Sequence, residues 1–216
     1  MTENGPSRRR QRDIINRNAV ADEISAALAG SSASEQRSKA LIIMQAALRE
    51  GREEISRRLI AIPSSGRGSA TDQAFLIDQI IRIAYDFVTN SLFPVANRSA
   101  AEKIAVVAVG GYGRGEMAPH SDVDIAFITP YKRTGWTEQV VEAMLYFLWD
   151  MGLKVGQSSR SIDETIKMAL EELTIRTALL EGRFVWGDRE VYEEASTRFW
   201  SEVAAKTGAD FVAQKM

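Results

Sequence analysis

The chain has 216 residues, 45% hydrophobic and 26% charged, with a net charge of −2. That is enough apolar material for one globular domain, or one domain with a helical extension, without the basic field that nucleic-acid binding needs. With no cysteine and a single histidine, His120, disulfides, thiolate catalysis, cysteine-ligated zinc and any centre built from several histidines are excluded. No apolar run reaches the ~18 residues of a membrane span, and the polar N-terminus lacks the apolar core of a secretory signal, so a cytoplasmic protein without a membrane partner is expected.

Arg8, Arg9, Arg10 and Arg12 lie among polar neighbours and read as a solvated, partly disordered basic tail rather than a nucleic-acid arm. A weak helix over 14–30 ends at Gly30, before a Ser-rich break. Ser32 with Glu35 forms a capping box, and the helix it opens extends to about Ile62 with Leu41, Met44, Leu48, Ile55 and Leu59 near one face. Pro63 to Ser69 reads as a loop. Thr71 is expected to cap a helix carrying Phe75, Leu76, Ile80, Ile83 and Phe87 that stops near Pro94. This first third carries no recognisable chemistry.

The pattern then changes. Ile104 to Val109 is a short continuous apolar run, the mark of a buried strand. It enters a glycine-rich loop, Gly110-Gly111-Tyr112-Gly113-Arg114-Gly115, and a second strand follows over Asp122–Ile128. Thr137 to Asp150 reads as a helix closed by Gly152, and Leu153-Lys154-Val155 begins a third strand. Ser161 with Glu164 is another capping box, opening a helix to about Leu170. The segment from Thr174 to Phe184 reads as helix, Gly187 breaks it, and a terminal helix runs to Met216. No repeats are present. The fold class is α+β: a small mixed sheet with packed helices behind an N-terminal helical segment. The expected divisions are 1–30 (tail), 31–97 (helical segment), 98–190 (the domain with the chemistry) and 191–216 (the start of a truncated helical region).

Residues two apart on a strand point to the same face, so Asp122 and Asp124 would present two carboxylates to one side, with Cα atoms ~6–7 Å apart. Such a pair suits one or two hard cations, Mg²⁺ or Mn²⁺. Val123, Ile125 and Phe127 would face the core, and the small Ala126 leaves room above the metals. Two glycines after a strand let the backbone approach a ligand, and their N–H groups form an anion cradle to which Arg114 adds a cation. Ser121, beside the aspartates, is grouped with the nucleotide-binding residues Gly110, Gly111 and Arg114. One half of the motif would bind a triphosphate and the other the metal that bridges it, with Asp122 and Asp124 as catalytic metal ligands. The order of strand, Gly-Gly, ten residues and Asp-x-Asp is more specific than either part, and points to a metal-dependent nucleotidyltransferase. Glu116, Asp150 and Glu172 are candidates for a third acid, each equally readable as a surface charge. His120 receives no role, and Arg160 is either a phosphate contact or a solvated arginine.

The segments Val107–Glu116 and Pro119–Asp124 resemble the bacterial PII-protein uridylyltransferase and uridylyl-removing enzyme family, within the polymerase-β-like nucleotidyltransferase superfamily. The resemblance continues through Leu148–Gly156, Arg160–Glu164 and Leu179–Arg183. It implies UTP as donor, a tyrosine hydroxyl of the PII signalling protein as acceptor, and pyrophosphate as the second product. It maps the family's glycine pair to Gly110 and Gly111 and its metal aspartates to Asp122 and Asp124. Where the family commonly carries a histidine after the Val-Gly pair of the third strand, this chain has Gln157. The family continues into a hydrolase domain and ligand-sensing domains, so this chain reads as an N-terminal portion without the uridylyl-removing activity. The alternatives are another nucleoside triphosphate or acceptor, an inactive nucleotide-binding module, and a nucleic-acid binder acting through the arginine tail, the last not expected.

Overall fold

A computed structural model describes residues 11–95 and 99–206. The arginines at 8–10 and the last ten residues of the expected terminal helix lie outside the described residues. Three helices come first: α1 (Arg17–Leu28), α2 (Ala33–Ala61) and α3 (Gly66–Phe87). The Ser32–Glu35 box opens α2 as expected, with the Ser32 N–H donating to the Glu35 carboxylate at 2.8 Å. The expected loop over Pro63–Ser69 is not formed. Pro63–Ser65 is a single 3₁₀ turn that leads straight into α3 at Gly66. Thr71 is therefore one turn inside the helix, where its hydroxyl donates back to the Arg67 carbonyl instead of capping. The end of α3 is prolonged by a π-helical turn over Val88–Leu92.

The second part holds a four-stranded mixed sheet in the order β3-β2-β1-β4, formed by β1 (Ala105–Ala108), β2 (Val123–Thr129), β3 (Val155–Ser161) and β4 (Arg183–Gly187). β1 runs antiparallel to both β2 and β4, and β2 runs parallel to β3. A one-turn helix α4 (Gly110–Gly113) follows β1, and α5 (Gly135–Asp150) makes the crossover from β2 to β3. Then come α6 (Ile162–Glu171), α7 (Leu173–Leu180) and α8 (Arg189–Arg198), the last continuing in a π-helical turn to Ala204.

The expected helix over 174–184 ends at Leu180, and residues 183–187 are a strand. Phe184 and Val185 sit close enough behind Leu179 and Leu180 to extend a helical pattern. Pairing with β1 decides the matter, because β4 supplies the hydrogen bonds that the other edge of a buried strand requires.

The alternation of side chains splits the core between the two faces of the sheet. Val106, Ala108, Ile125, Phe127 and Val185 pack with α2, α3 and α5 in one cluster. Ala105, Val107, Ala126 and Ile128 face the other way, beneath α6 and α8. Asp124 shares the parity of Ala126, so it stands on the second face, at the end of β2 that those helices leave open.

Candidate active site

Val109 ends β1 by donating its N–H to the Asp124 carbonyl at 3.0 Å, which ties the start of the glycine turn to β2. Gly110 then takes φ +59, a left-handed value that favours glycine. The nearest atom to a Cβ placed on Gly110 would be Asp124 Oδ2, 3.5 Å away. The glycine backbone and the carboxylate, fourteen positions apart in sequence, thus lie side by side. Gly110 and Gly111 open α4, and as first residues of a helix they present N–H groups that no preceding turn takes up. The expected loop is therefore a helical turn with its amino end next to Asp124.

A buried network fixes that turn. The Tyr112 hydroxyl donates to Asp78 Oδ1 of α3 at 2.6 Å, and Arg183 of β4 holds the same carboxylate through Nη1 (2.7 Å) and Nη2 (3.1 Å). Arg183 also donates to the carbonyls of Tyr112 and Gly113, at 3.2 Å each. Burial, followed by the charge of Asp78 and the hydrogen bond to it, pushes the Tyr112 phenol well above its ordinary pKa. Burial works against the Arg183 charge, but the bond to Asp78 and its charge outweigh it and hold the guanidinium above its usual value. Gly113 lies so close to the Glu181 carbonyl that any side chain there would overlap it, so α4 rests directly on the end of α7. Residue patterns alone did not flag Asp78, Tyr112 or Arg183 as parts of one unit.

The second half of the site is β2. Asp122 is exposed and lies one residue before the strand, which begins at Val123. Val123, Ile125 and Phe127 are buried in the core, as expected. Ala126 is also buried, against the helices on the aspartate face, so open space begins above Asp124 rather than above Ala126. Burial first, and then the neighbouring charge of Asp122, push the Asp124 carboxyl above its ordinary pKa. A carboxyl whose ionisation is opposed by burial and by a neighbouring carboxylate is one that a divalent cation would relieve. Among the described residues no group of three or more carboxylate or histidine side chains could hold a metal. Asp122 and Asp124 could hold a hard cation such as Mg²⁺, which commonly completes its shell with phosphate and water oxygens.

β3 contributes a residue that sequence reasoning missed. Gly156 pairs with Asp124, and any Cβ at 156 would overlap Asp124 Oδ1. Gln157 pairs with Ile125 and so has the opposite parity, which places this departure from the family pattern off the aspartate face.

The guanidinium of Arg114 lies over Gly111, with Nη2 3.5 Å from the position of a Cβ there, while its Nη1 donates to Glu181 at 2.7 Å. That bond, and the charge behind it, raise the Arg114 pKa. Ser121 is exposed in the turn before Asp122, its N–H donating to the Ala118 carbonyl. His120 has φ +64, a left-handed value uncommon outside glycine, at the bend that brings the chain into β2. Glu116 pairs with Arg67 and Asp150 with Arg37. Arg160 pairs with Ile128, so it shares the aspartate face, four residues along β3 from Gly156.

Comparison with known proteins places the chain among nucleotidyltransferases. The nucleotidyltransferase domain family matches residues 77–185, from the middle of α3 to the middle of β4. The chain is 57% identical over 206 residues to the bifunctional uridylyltransferase/uridylyl-removing enzyme of Novosphingobium aromaticivorans, covering 95% of this chain and 22% of that protein. It is 58% identical over 207 residues to the enzyme of the same description from Erythrobacter litoralis (96% and 22%), and 47% identical over 214 residues to that of Rhodospirillum rubrum (98% and 23%). The chain thus spans about a fifth of the length of the curated relatives it matches. Among the described residues no helix is long and apolar enough to cross a membrane.

Proposed function

Since the chain belongs to the nucleotidyltransferase domain family, we propose that it is the part of a uridylyltransferase that moves UMP from UTP to a tyrosine hydroxyl of the PII signalling protein. The observation that carries the reading is the juxtaposition of the Gly110 backbone with the Asp124 carboxylate. The amides of Gly110 and Gly111, with Arg114 above them, would receive the β- and γ-phosphates, and Ser121 lies at the rim of the same turn. Asp122 and Asp124 would hold Mg²⁺ or Mn²⁺. When bound, the cation neutralises charge that develops on the phosphate oxygens.

In the transfer, the acceptor oxygen forms a bond to the α-phosphorus while the bond from that phosphorus to the bridging oxygen of pyrophosphate breaks. The protein contributes mainly positioning and fixed charge, which is what this reaction class demands. Rigidity is supplied from behind, since α4 is locked by Tyr112, Asp78 and Arg183 and β2 is flanked by two hydrogen-bonded strands. The uridylyl group follows the activity of the relatives, and UTP and the PII tyrosine follow the motif resemblance. The uridylyl-removing activity in those names is not assigned to these residues.

The test is to incubate the chain with PII, Mg²⁺ and α-labelled UTP, beside the variant Asp122→Asn/Asp124→Asn. Label on PII that vanishes in the folded variant supports the reading, and a competition among the four triphosphates checks the base. Full transfer by the folded variant would refute the metal assignment. Transfer of a different nucleotide, or to a different acceptor, would refute the specific substrates while leaving the chemistry in place.

A further inference from the structure

On the other face of the sheet, away from Asp124, α1 begins beside β4 over a hollow of about 480 Å³. Three guanidinium groups line it, from Arg12, Arg17 and Arg82, against one acid, Asp22. None of the three arginines is in a salt bridge among the described residues. Arg17 and Arg82 lie against the ring of Trp186, with Cζ 4.5 and 5.3 Å from its centroid, and Arg82 Nε donates to the Val185 carbonyl at 3.1 Å. One nitrogen of Arg17, Nη1, is buried without any hydrogen-bond partner.

Two further donors converge there. Asn16, Arg17 and Asn18 are the start of the twelve-residue helix α1, whose first amides carry partial positive charge. Gln79, on α3, is only 7% exposed and lines the hollow, and its side-chain amide has no hydrogen bond among the described residues. A buried guanidinium nitrogen left unsatisfied, here Arg17 Nη1, is costly and calls for a partner, and the Gln79 amide beside the hollow adds a donor that no protein group takes up among the described residues. An excess of cations, planar donors and a helix amino end together select a multivalent oxyanion.

We infer that this hollow is a second anion site, distinct from the Gly110–Asp124 centre, that takes a phosphate-bearing small molecule. Trp186 pairs with Val106 in the sheet, and Val106 lies in the core on the face opposite Asp124. A ligand here therefore cannot share the phosphates of a nucleotide held at Asp124. Two sources offer the chemistry, inorganic pyrophosphate and the phosphate tail of a nucleotide.

The experiment titrates the chain with pyrophosphate and, separately, with ATP by calorimetry in EDTA, on an Asp122→Asn/Asp124→Asn background that disables the first centre. Binding is expected, weakened about tenfold or more by Arg17→Gln and by Arg82→Gln and several-fold by Gln79→Leu, with unchanged circular dichroism. Arg12→Gln, at an exposed position, supplies a variant that keeps the fold if Arg17→Gln does not, and it too must weaken binding. Equal affinity for pyrophosphate and ATP assigns the site to the phosphate group alone, whereas tighter ATP binding assigns it to a nucleotide. No binding up to ~10 mM, a free energy of only ~3 kcal/mol, or binding indifferent to the arginine variants, would overturn the inference.

Discussion

Gly156 and Asp124 face each other across the parallel β2–β3 pair, and the space a side chain would need at 156 is taken by the Asp124 carboxylate. The carboxylate leans over β3 because nothing stands there. Gly156→Ala should therefore turn Asp124 away from the glycine turn while leaving the strand pairing intact. If Asp124 is the metal ligand proposed above, transfer is expected to fall ~10–100-fold, the usual cost of disturbing a group that orients such a ligand. Thermal denaturation should show a change much smaller than that of a core cavity. A Gly156→Ala protein with wild-type turnover would mean that the orientation of Asp124 is set elsewhere.

The Tyr112–Asp78–Arg183 network makes a separate statement about alkaline pH. The Tyr112 phenol has a folded pKa raised above its unfolded value of ~10. Its contribution to stability is thus complete below that unfolded value and is lost as pH rises through the folded one. Guanidinium denaturation at pH ~8 and ~10.5 should reveal a steeper loss for the native chain than for Tyr112→Phe, whose ring cannot ionise. At pH ~8 the same variant should cost ~1–3 kcal/mol, since Asp78 loses a donor in a buried place. Parallel pH curves for the two proteins would contradict the assignment.

Local signals made much of this site legible. The apolar run before Gly110, the two glycines and the spacing of Asp122 and Asp124 are all short-range features, and the structure gathers them as the chain order suggests. The capping residues Ser32 and Ser161 were equally readable, because a cap is decided within four residues. What stayed hidden was non-local. Phe184 to Trp186 become a strand only because β1 needs a second neighbour. Gly156 acquires meaning only from the β2–β3 register. Asp78 looks like an ordinary helix charge until Arg183, 105 positions away, closes on it.

Ser161 ends β3 and caps α6, which covers part of the aspartate face. Its N–H donates to Glu164 at 2.8 Å, and the Glu164 N–H donates to its hydroxyl at 3.2 Å. The backbone bond from Ser161 is the main cause holding the Glu164 carboxyl below its ordinary pKa. A lowered folded pKa contributes stability that is present above the unfolded value of ~4.3 and lost as pH falls through the folded one. Ser161→Ala should cost ~0.5–2 kcal/mol at neutral pH. Glu164→Gln should flatten the acid limb between pH ~5 and ~3. If urea midpoints of Glu164→Gln track the native chain across that interval, the capping box is not what the acid limb reports.

Arg114 offers the sharpest check on the proposed phosphate half of the site, because it already has a partner. Its Nη1–Glu181 bond holds the guanidinium over Gly111, where an incoming triphosphate would meet it. Arg114→Gln removes the cation and should raise KM for the triphosphate about tenfold, a typical loss for one charge-assisted bond. kcat should change much less, because binding in the ground state and in the transition state would suffer alike. Glu181→Gln keeps the cation but releases its tether, so it should lower affinity less than Arg114→Gln does. A drop in kcat with KM unmoved would instead place Arg114 at the reacting phosphorus. Indifference of both parameters would make the Arg114–Glu181 pair a purely structural link between α4 and α7.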